Sequence, residues 1–368
     1  MSSLVSPESD DDLYRVLDAD GSLVEGASVS MADDALRDLY EDLKLARRFD
    51  RKAVALQRQG RMGTYPPIYG QEGSQVASVH ALDDEDWLFP SYRENGAMLA
   101  RGVSMSKNLE YWMGSESGNA ALRERNVFTV SNPIATQIPL ATGLAWGAKL
   151  KGDERAALVH FGDGATSEGD FHEGVNFAGV FDAPVVFFCN NNQWAISVPR
   201  EKQTASETIA QKADAYGIDG IRVDGMDPIA VYEVTRQAIQ KAKDPGDRPA
   251  PTLVEAVQYR LGAHSTSDDP GVYRDEERTE EWKRMDPVPR LERFMRESGR
   301  LTKEDVEAIE ADIEERIDEA VATAEAAETD PANIFAHVYA EMPRALREQQ
   351  AYLEELRDEF GDDVLLED

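Results

Sequence analysis

The sequence predicts an α/β protein: a doubly wound parallel sheet with flanking helices and a helical C-terminal region. Three observations carry this. Between residues 156 and 260, short apolar runs alternate with amphipathic stretches, which implies parallel strands joined by crossover helices. Two glycines bracket an aspartate in "GDGATSEGD" (162–170), where an apolar run gives way to a helical pattern. Residues 276–368 are strongly charged and helical in period.

Taken in order, residues 1–30 form an acidic, polar N-terminal segment with a turn expected at "DADG" (18–21). Residues 30–60 place apolar side chains at helical spacing, with Ser30 as the expected N-cap and Gly60 as the stop. Short helical patterns continue through 72–113. The stretch 135–152 is small-residue-rich and mostly apolar, as expected of a helix packed tightly on a sheet. "AALVHF" (156–161) reads as a buried strand, 168–181 as a helix and "APVVFFC" (183–189) as a second strand. A helix at 206–217, a short strand at 220–225 and a helix at 227–244 follow. The last of these opens with Asp at N-cap and Pro at N1. "PTLVEAVQYR" (251–260) reads as a fourth strand, and 302–327 and 343–360 are the clearest later helices. The expected division is a domain over 31–345 and an acidic helical tail over 346–368. There is no internal repeat.

The charge narrows the function classes. Against 39 basic residues stand 71 acidic ones, a net charge of −32 scattered along the chain. Nucleic acid and anionic membrane surfaces would repel such a protein. The distribution reads as a surface adapted to high salt, where screening weakens self-repulsion; the alternative is an acidic protein from an ordinary habitat. Cys189 is the only cysteine, which excludes an intrachain disulfide and a cysteine-based metal cluster. No apolar run reaches the roughly 18 residues of a membrane span. The start, "MSSLVSPESDDD", lacks a basic n-region and an apolar h-region. A cytoplasmic location is expected.

In an open parallel sheet, ligands bind beyond the carboxyl ends of the strands. Gly162-Asp163-Gly164 lies at such an end, where glycine permits the turn and lets a ligand approach the backbone. The following helix offers its amino end to an anion. The next strand ends in "CNNNQWAIS" (189–197), so Asp163 and the asparagine run can share one site. Asp with Asn is an oxygen-only pair suited to a hard cation. One carboxylate is too little charge for an all-protein calcium cage; it suits magnesium that also takes phosphate oxygens. An Asx-turn would also explain asparagine at 190–192, but not the G-D-G one crossover earlier. A dinucleotide fingerprint fails, because Ser167 stands at its third glycine and Asn190 where it wants an acid.

G-D-G followed some thirty residues later by N-N resembles the thiamine diphosphate motif. The text around it, "FGDGATSEGDFHEGVNFAGVFDAPVVFFCNNNQWAIS", resembles the alpha subunit of the 2-oxo acid dehydrogenase decarboxylase component, of the pyruvate and branched-chain type. So do "RQGRMGTYPPIYGQEGSQVAS" (58–78), "PSYREN" (90–95), "SNPIATQIP" (131–139) and "YRLGAHSTSDDPGVYR" (259–274), from about residue 32 to 345. The resemblance implies a thiamine diphosphate-binding fold. It implies that Asp163, Asn192 and the Trp194 carbonyl bind magnesium. Gly162, Gly164 and Ala165 would meet the diphosphate with backbone, and Tyr92 and Arg93 would hold it from another loop. Asn132 and Ile134 would lie near the cofactor's middle, and Ser131, Pro133, Thr136 and Gln137 match a potassium site of branched-chain relatives. Asn190, also placed at the cofactor, stands where some of those relatives carry arginine, and Ala263 replaces a second histidine. His264 would be catalytic and touch the cofactor, as a proton donor in transfer to the lipoyl group. Ser265 matches a serine phosphorylated in mitochondrial relatives.

This chain is expected to carry only the diphosphate-binding half. The resemblance therefore implies a beta subunit supplying an activating glutamate, an α2β2 heterotetramer, and a lipoyl-bearing acyltransferase core as partner. The implied reaction is decarboxylation of a 2-oxo acid with reductive acylation of the lipoyl group. Two other readings stay open at this point: an acetoin dehydrogenase alpha subunit, and a non-catalytic structural subunit.

Overall fold

The structure, a computed structural model, describes residues 13–327, 330–336 and 339–365. The chain divides into two compact units, 1–325 and 326–368. In the first, α1 (Asp33–Arg58), α2 (Glu72–His80), β1 (Trp87–Phe89), α3 (Asn95–Ala100), α4 (Met105–Trp112) and α5 (Ser117–Ala120) precede α6 (Gln137–Lys151). Then come β2 (Ala157–Gly162), α7 (Gly169–Phe181), β3 (Val185–Asn191), a hairpin of β4 (Trp194–Ala195) and β5 (Val198–Pro199), and α8 (Arg200–Gln203). β6 (Asp219–Asp224), α9 (Pro228–Lys243), β7 (Thr252–Val257), α10 (Glu276–Lys283), α11 (Pro287–Glu297) and α12 (Lys303–Glu325) complete it. The second unit holds α13 (Asn333–Ala336), α14 (Arg344–Phe360) and α15 (Asp362–Leu365).

Five parallel strands form one sheet in the order β1-β2-β3-β7-β6. Successive residues of the central strands face opposite layers. Leu158, Val186, Phe188 and Val254 join one core with α1, α2 and α9, while Val159, Val185, Phe187 and Leu253 join the other with α6 and α7. Apolar residues on both faces are what a parallel sheet covered on both sides requires. The tight packing expected of 135–152 has a specific contact: a Cβ at Gly174 of α7 would lie 2.8 Å from Ile138 of α6.

Several local expectations change. Ser30 does not cap α1; its amide and hydroxyl both donate to Glu233 instead. Helix α1 starts from Ala32 without a side-chain cap, with Asp33 and Asp34 at its positive end. The expected helix at 206–217 is a 3-10 helix over Ala210–Tyr216. The Ile209 and Ala210 amides at its start are held by the Glu255 carboxylate, 2.8 and 2.9 Å away. The sheet also gains β1, three residues long and paired to β2. Asp227 does cap α9, through Ile229 and Ala230. Its other oxygen accepts from the Val16 and Leu17 amides at 2.7 Å, which docks the N-terminal segment beside β6.

Candidate active site

The carboxyl ends of β2 and β3 lie side by side, with Gly162 in register with Asn190. A 3-10 turn, Asp163–Ser167, follows Gly162, so α7 begins only at Gly169. The amides that open toward the strand ends therefore belong to this turn, not to α7 as expected. Asp163 is 1% exposed, and neither carboxylate oxygen has a well-formed hydrogen-bond partner. Burial pushes its pKa up to about 6, opposed by nearby amides of Asp163 and Asn192 and by the charges of Arg260 and Arg200. Asn192 is fixed from both sides. Its Nδ2 donates to Gln71 Oε1 at 2.9 Å, and the Trp194 amide donates to its Oδ1 at 3.1 Å. Gln193, between them, has φ of 72°, and Ile196 has 56°; such strained residues gather at functional sites. Asp163, Asn192 and Trp194 all line one cavity of about 250 Å3.

Gly162, Gly164 and Ala165 line the same cavity. A Cβ at Gly162 would meet no protein atom within 4 Å, whereas one at Gly164 would come within 3.0 Å of Ala195. The backbone here can approach a ligand closely. Asn190 lines the floor, but neighbours engage its amide on every side. Its Oδ1 accepts from Ser74 and Gln258, and its Nδ2 faces Glu94 at 3.2 Å and His160 Nδ1 at 3.0 Å.

Tyr92, Arg93 and His264 form the opposite wall. Arg93 donates from Nη1 to the Pro67 carbonyl at 2.9 Å and from Nη2 to His264 Nδ1 at 3.0 Å. Arg260 also faces Nδ1, at 3.4 Å. A guanidinium can only donate, so Nδ1 is the acceptor and the ring proton sits on Nε2. Burial, then the charges of Arg93 and Arg260, push the His264 pKa down to about 4. Two fixed cations stand beside the ring that the sequence offered as a proton donor. Asp268 holds the loop by accepting from the His264 amide and from Tyr273.

The 131–137 loop is divided. Ile134 and Gln137 reach the cavity; Asn132 does not, being exposed and bonded to Tyr111. Ser131 donates to the Pro133 carbonyl, Thr136 donates to Asp170, and Gln137 keeps a buried oxygen without a partner. Ala135 adopts φ of 68° at the bend. Sequence reasoning missed Gln71, Glu94, Glu168 and Gln203, which also line the cavity. Gln71 lies within the segment "YGQEG", which carries no local signal of its contact with Asn192, 121 residues away. Among the described residues, no group of three or more His, Cys, Asp or Glu could hold a metal, so any cation here would rest on one carboxylate and neutral oxygens.

The dehydrogenase E1 component family matches residues 41–333. The 3-methyl-2-oxobutanoate dehydrogenase subunit alpha of Mycobacterium tuberculosis is 41% identical, over 90% of this chain and 89% of that protein. The pyruvate dehydrogenase E1 component subunit alpha of Bacillus subtilis is 38% identical over 91% of each chain. Its namesake from Staphylococcus aureus is 39% identical, over 92% of this chain and 91% of that protein. The chain belongs to the dehydrogenase E1 component family.

Proposed function

We propose that this chain is the alpha subunit of a thiamine diphosphate-dependent 2-oxo acid dehydrogenase. It would decarboxylate pyruvate or a branched-chain 2-oxo acid and pass the acyl group to a lipoyl group on an acyltransferase core. The named relatives support the reaction class and favour a 2-oxo acid over acetoin. The single observation that carries the site is Asp163: a buried carboxylate without a well-formed hydrogen bond, beside an asparagine already oriented by two neighbours. An ionised carboxylate is not left unpaired in a protein interior without a counter-charge. A magnesium ion held here with the diphosphate would supply one.

In this reading Asp163, Asn192 and the Trp194 carbonyl would hold magnesium. The bare backbone at Gly162, Gly164 and Ala165 admits the diphosphate, and Arg93 answers its charge with a planar fork. Thiamine diphosphate, when bound, supplies the electron sink for loss of the carboxylate. Ile134 gives the cavity an apolar wall. His264 keeps its proton on Nε2 because Arg93 and Arg260 occupy Nδ1. A diphosphate drawing on Arg93 would offset one of those cations and raise the basicity of the ring. The ring could then take up a second proton, and as imidazolium it could give one to the sulfur freed as the lipoyl disulfide opens, returning to the neutral form. Ser131, Pro133, Thr136 and Gln137 would take potassium, whose fit rests on the partnerless Gln137 oxygen.

The alpha-subunit names of the relatives support a beta subunit, and we extend this to an α2β2 heterotetramer working in the cytoplasm. No helix of the described residues is long and apolar enough to cross a membrane. The test is a rate panel on the co-expressed pair, with pyruvate against branched-chain 2-oxo acids. One substrate class should turn over with dependence on thiamine diphosphate, and the alpha chain alone should be inactive. Turnover by the alpha chain without a partner, or none by the pair with any 2-oxo acid, would refute the reading.

A further inference from the structure

Asp50 lies on α1, outside the cavity lining, and is 3% exposed. Its Oδ1 accepts from the Ile68 amide at 2.8 Å. Ile68 opens a turn, its carbonyl accepting from the Gln71 amide at 2.8 Å, and the residues beside it reach both halves of the far wall. Pro67 accepts from Arg93 at 2.9 Å. Tyr65 and Thr266 exchange two bonds: the Thr266 amide donates to the Tyr65 carbonyl at 2.9 Å, and the Tyr65 amide donates to Thr266 Oγ1 at 3.1 Å. The Tyr69 carbonyl accepts from the Leu261 amide at 3.1 Å. Gly70, a central residue of the turn, has φ of 91°, and a Cβ there would lie 2.6 Å from the Tyr259 carbonyl. One side chain thus anchors a short shelf on which Arg93 and the His264 loop both rest.

We propose that Asp50 is a positioning residue: its carboxylate holds the 65–70 shelf, more firmly when ionised, and through it keeps Arg93 and His264 in register with the cavity. A neutral acceptor of the same shape would hold Ile68, but a charged acceptor binds an amide more strongly. The groups that face Asp50 are few. Arg47 lies on its own helix, Glu72 opens α2, and the Tyr65 hydroxyl faces it from the shelf without a well-formed bond of its own. Arg47 is largely taken up by Glu72 and Asp286. Burial, then Glu72, therefore raise the Asp50 pKa to about 7, which places its change of charge inside the working range. Nothing else in the proposed chemistry uses this carboxyl.

The proposal stands on the geometry; only the idea that this cavity takes a cofactor rests on the proposed function. Hydrogen exchange of the full-length chain in its co-purified complex, without added cofactor, tests the geometry alone. Asp50→Ala should speed exchange in 64–70 and 261–268 by about tenfold, the effect of one lost hydrogen bond, and leave α9 unchanged. Asp50→Asn keeps the acceptor and should restore most of the protection, yet should lose the wild-type gain in protection between pH 6 and 8. Unchanged exchange at 261–268 in folded Asp50→Ala overturns the proposal, as does an Asp50→Asn protein as loose as the alanine variant. If the alanine variant does not fold, the pH comparison decides: wild type and Asp50→Asn gaining protection equally would overturn it. A failed cofactor titration beside the expected exchange pattern would instead count against the proposed function.

Discussion

Two buried side chains stand at neighbouring strand ends and are furnished in opposite ways. Asn190 is the penultimate residue of β3, and its amide meets Ser74, Gln258, Glu94 and His160. Asp163 follows β2, equally buried, and neither of its oxygens has a well-formed hydrogen bond. Around Asn190 the polar groups satisfy one another and form a bonded floor. Beside it stands a carboxyl without a well-formed hydrogen bond. Burial with partners reads as structure, and burial without them as a place where something binds. The same contrast separates Gln137, with a buried oxygen unsatisfied, from Thr142 one turn on, bonded to the Gly174 carbonyl.

The contrast breaks most readily at Asp163. Asp163→Ala should weaken cofactor uptake by at least a hundredfold, on the order of 3 kcal/mol, as read by calorimetry on the assembled complex. The same variant should melt no lower than wild type at pH 8, because it removes a carboxylate that burial disfavours. Lost stability with unchanged affinity would place Asp163 with the floor. His264→Ala comes next. Transfer to a lipoyl domain should fall by about a hundredfold, within the range for one acid–base group, while decarboxylation with an artificial electron acceptor largely survives. Equal loss in both assays would make His264 a binding group only.

The floor should respond in the opposite sense. Asn190→Leu leaves Glu94, Ser74, Gln258 and His160 short of a partner and should lower stability by about 1–3 kcal/mol, with a smaller change in cofactor affinity than Asp163→Ala. Thermal melts and calorimetry on the same preparations would show it. The smallest effect is a titration. In the free protein the His264 ring should titrate near pH 4, followed by its proton resonances, and shift upward once a diphosphate lies on Arg93. Because the folded pKa is depressed from 6.5 to about 4, this group supports the fold above about 6.5 and loses that support as pH falls toward 4. A ring titrating above 6.5 in the free protein would mean that Arg93 and Arg260 do not face it in solution.

Much of this was legible in the sequence. Strands β2, β3 and β7 and helices α7 and α9 follow from apolar runs and from the Asp227-Pro228 start. The G-D-G corner and the asparagine run pointed to one shared site, and the strand register places them together. The rest depends on partners that local pattern cannot show. β1 is three residues long and exists because β2 offers it a ladder. The 210–216 segment has helical spacing, but Glu255, some 45 residues later, claims its leading amides. Ser30 looks like a cap until Glu233, 203 residues away, takes its donors. The depressed basicity of His264 could not be foreseen for the same reason, since Arg93 is 171 residues distant.

The central claim is that Asp163 awaits a cation. Crystals of the complex grown with thiamine diphosphate and manganese in place of magnesium would test it most directly, by the anomalous signal of the metal. One peak should lie within ligand distance of Asp163, of Asn192 Oδ1 and of the Trp194 carbonyl, with diphosphate oxygens completing the shell. A diphosphate bound in the cavity with its metal elsewhere, and Asp163 still without a ligand, would contradict the account.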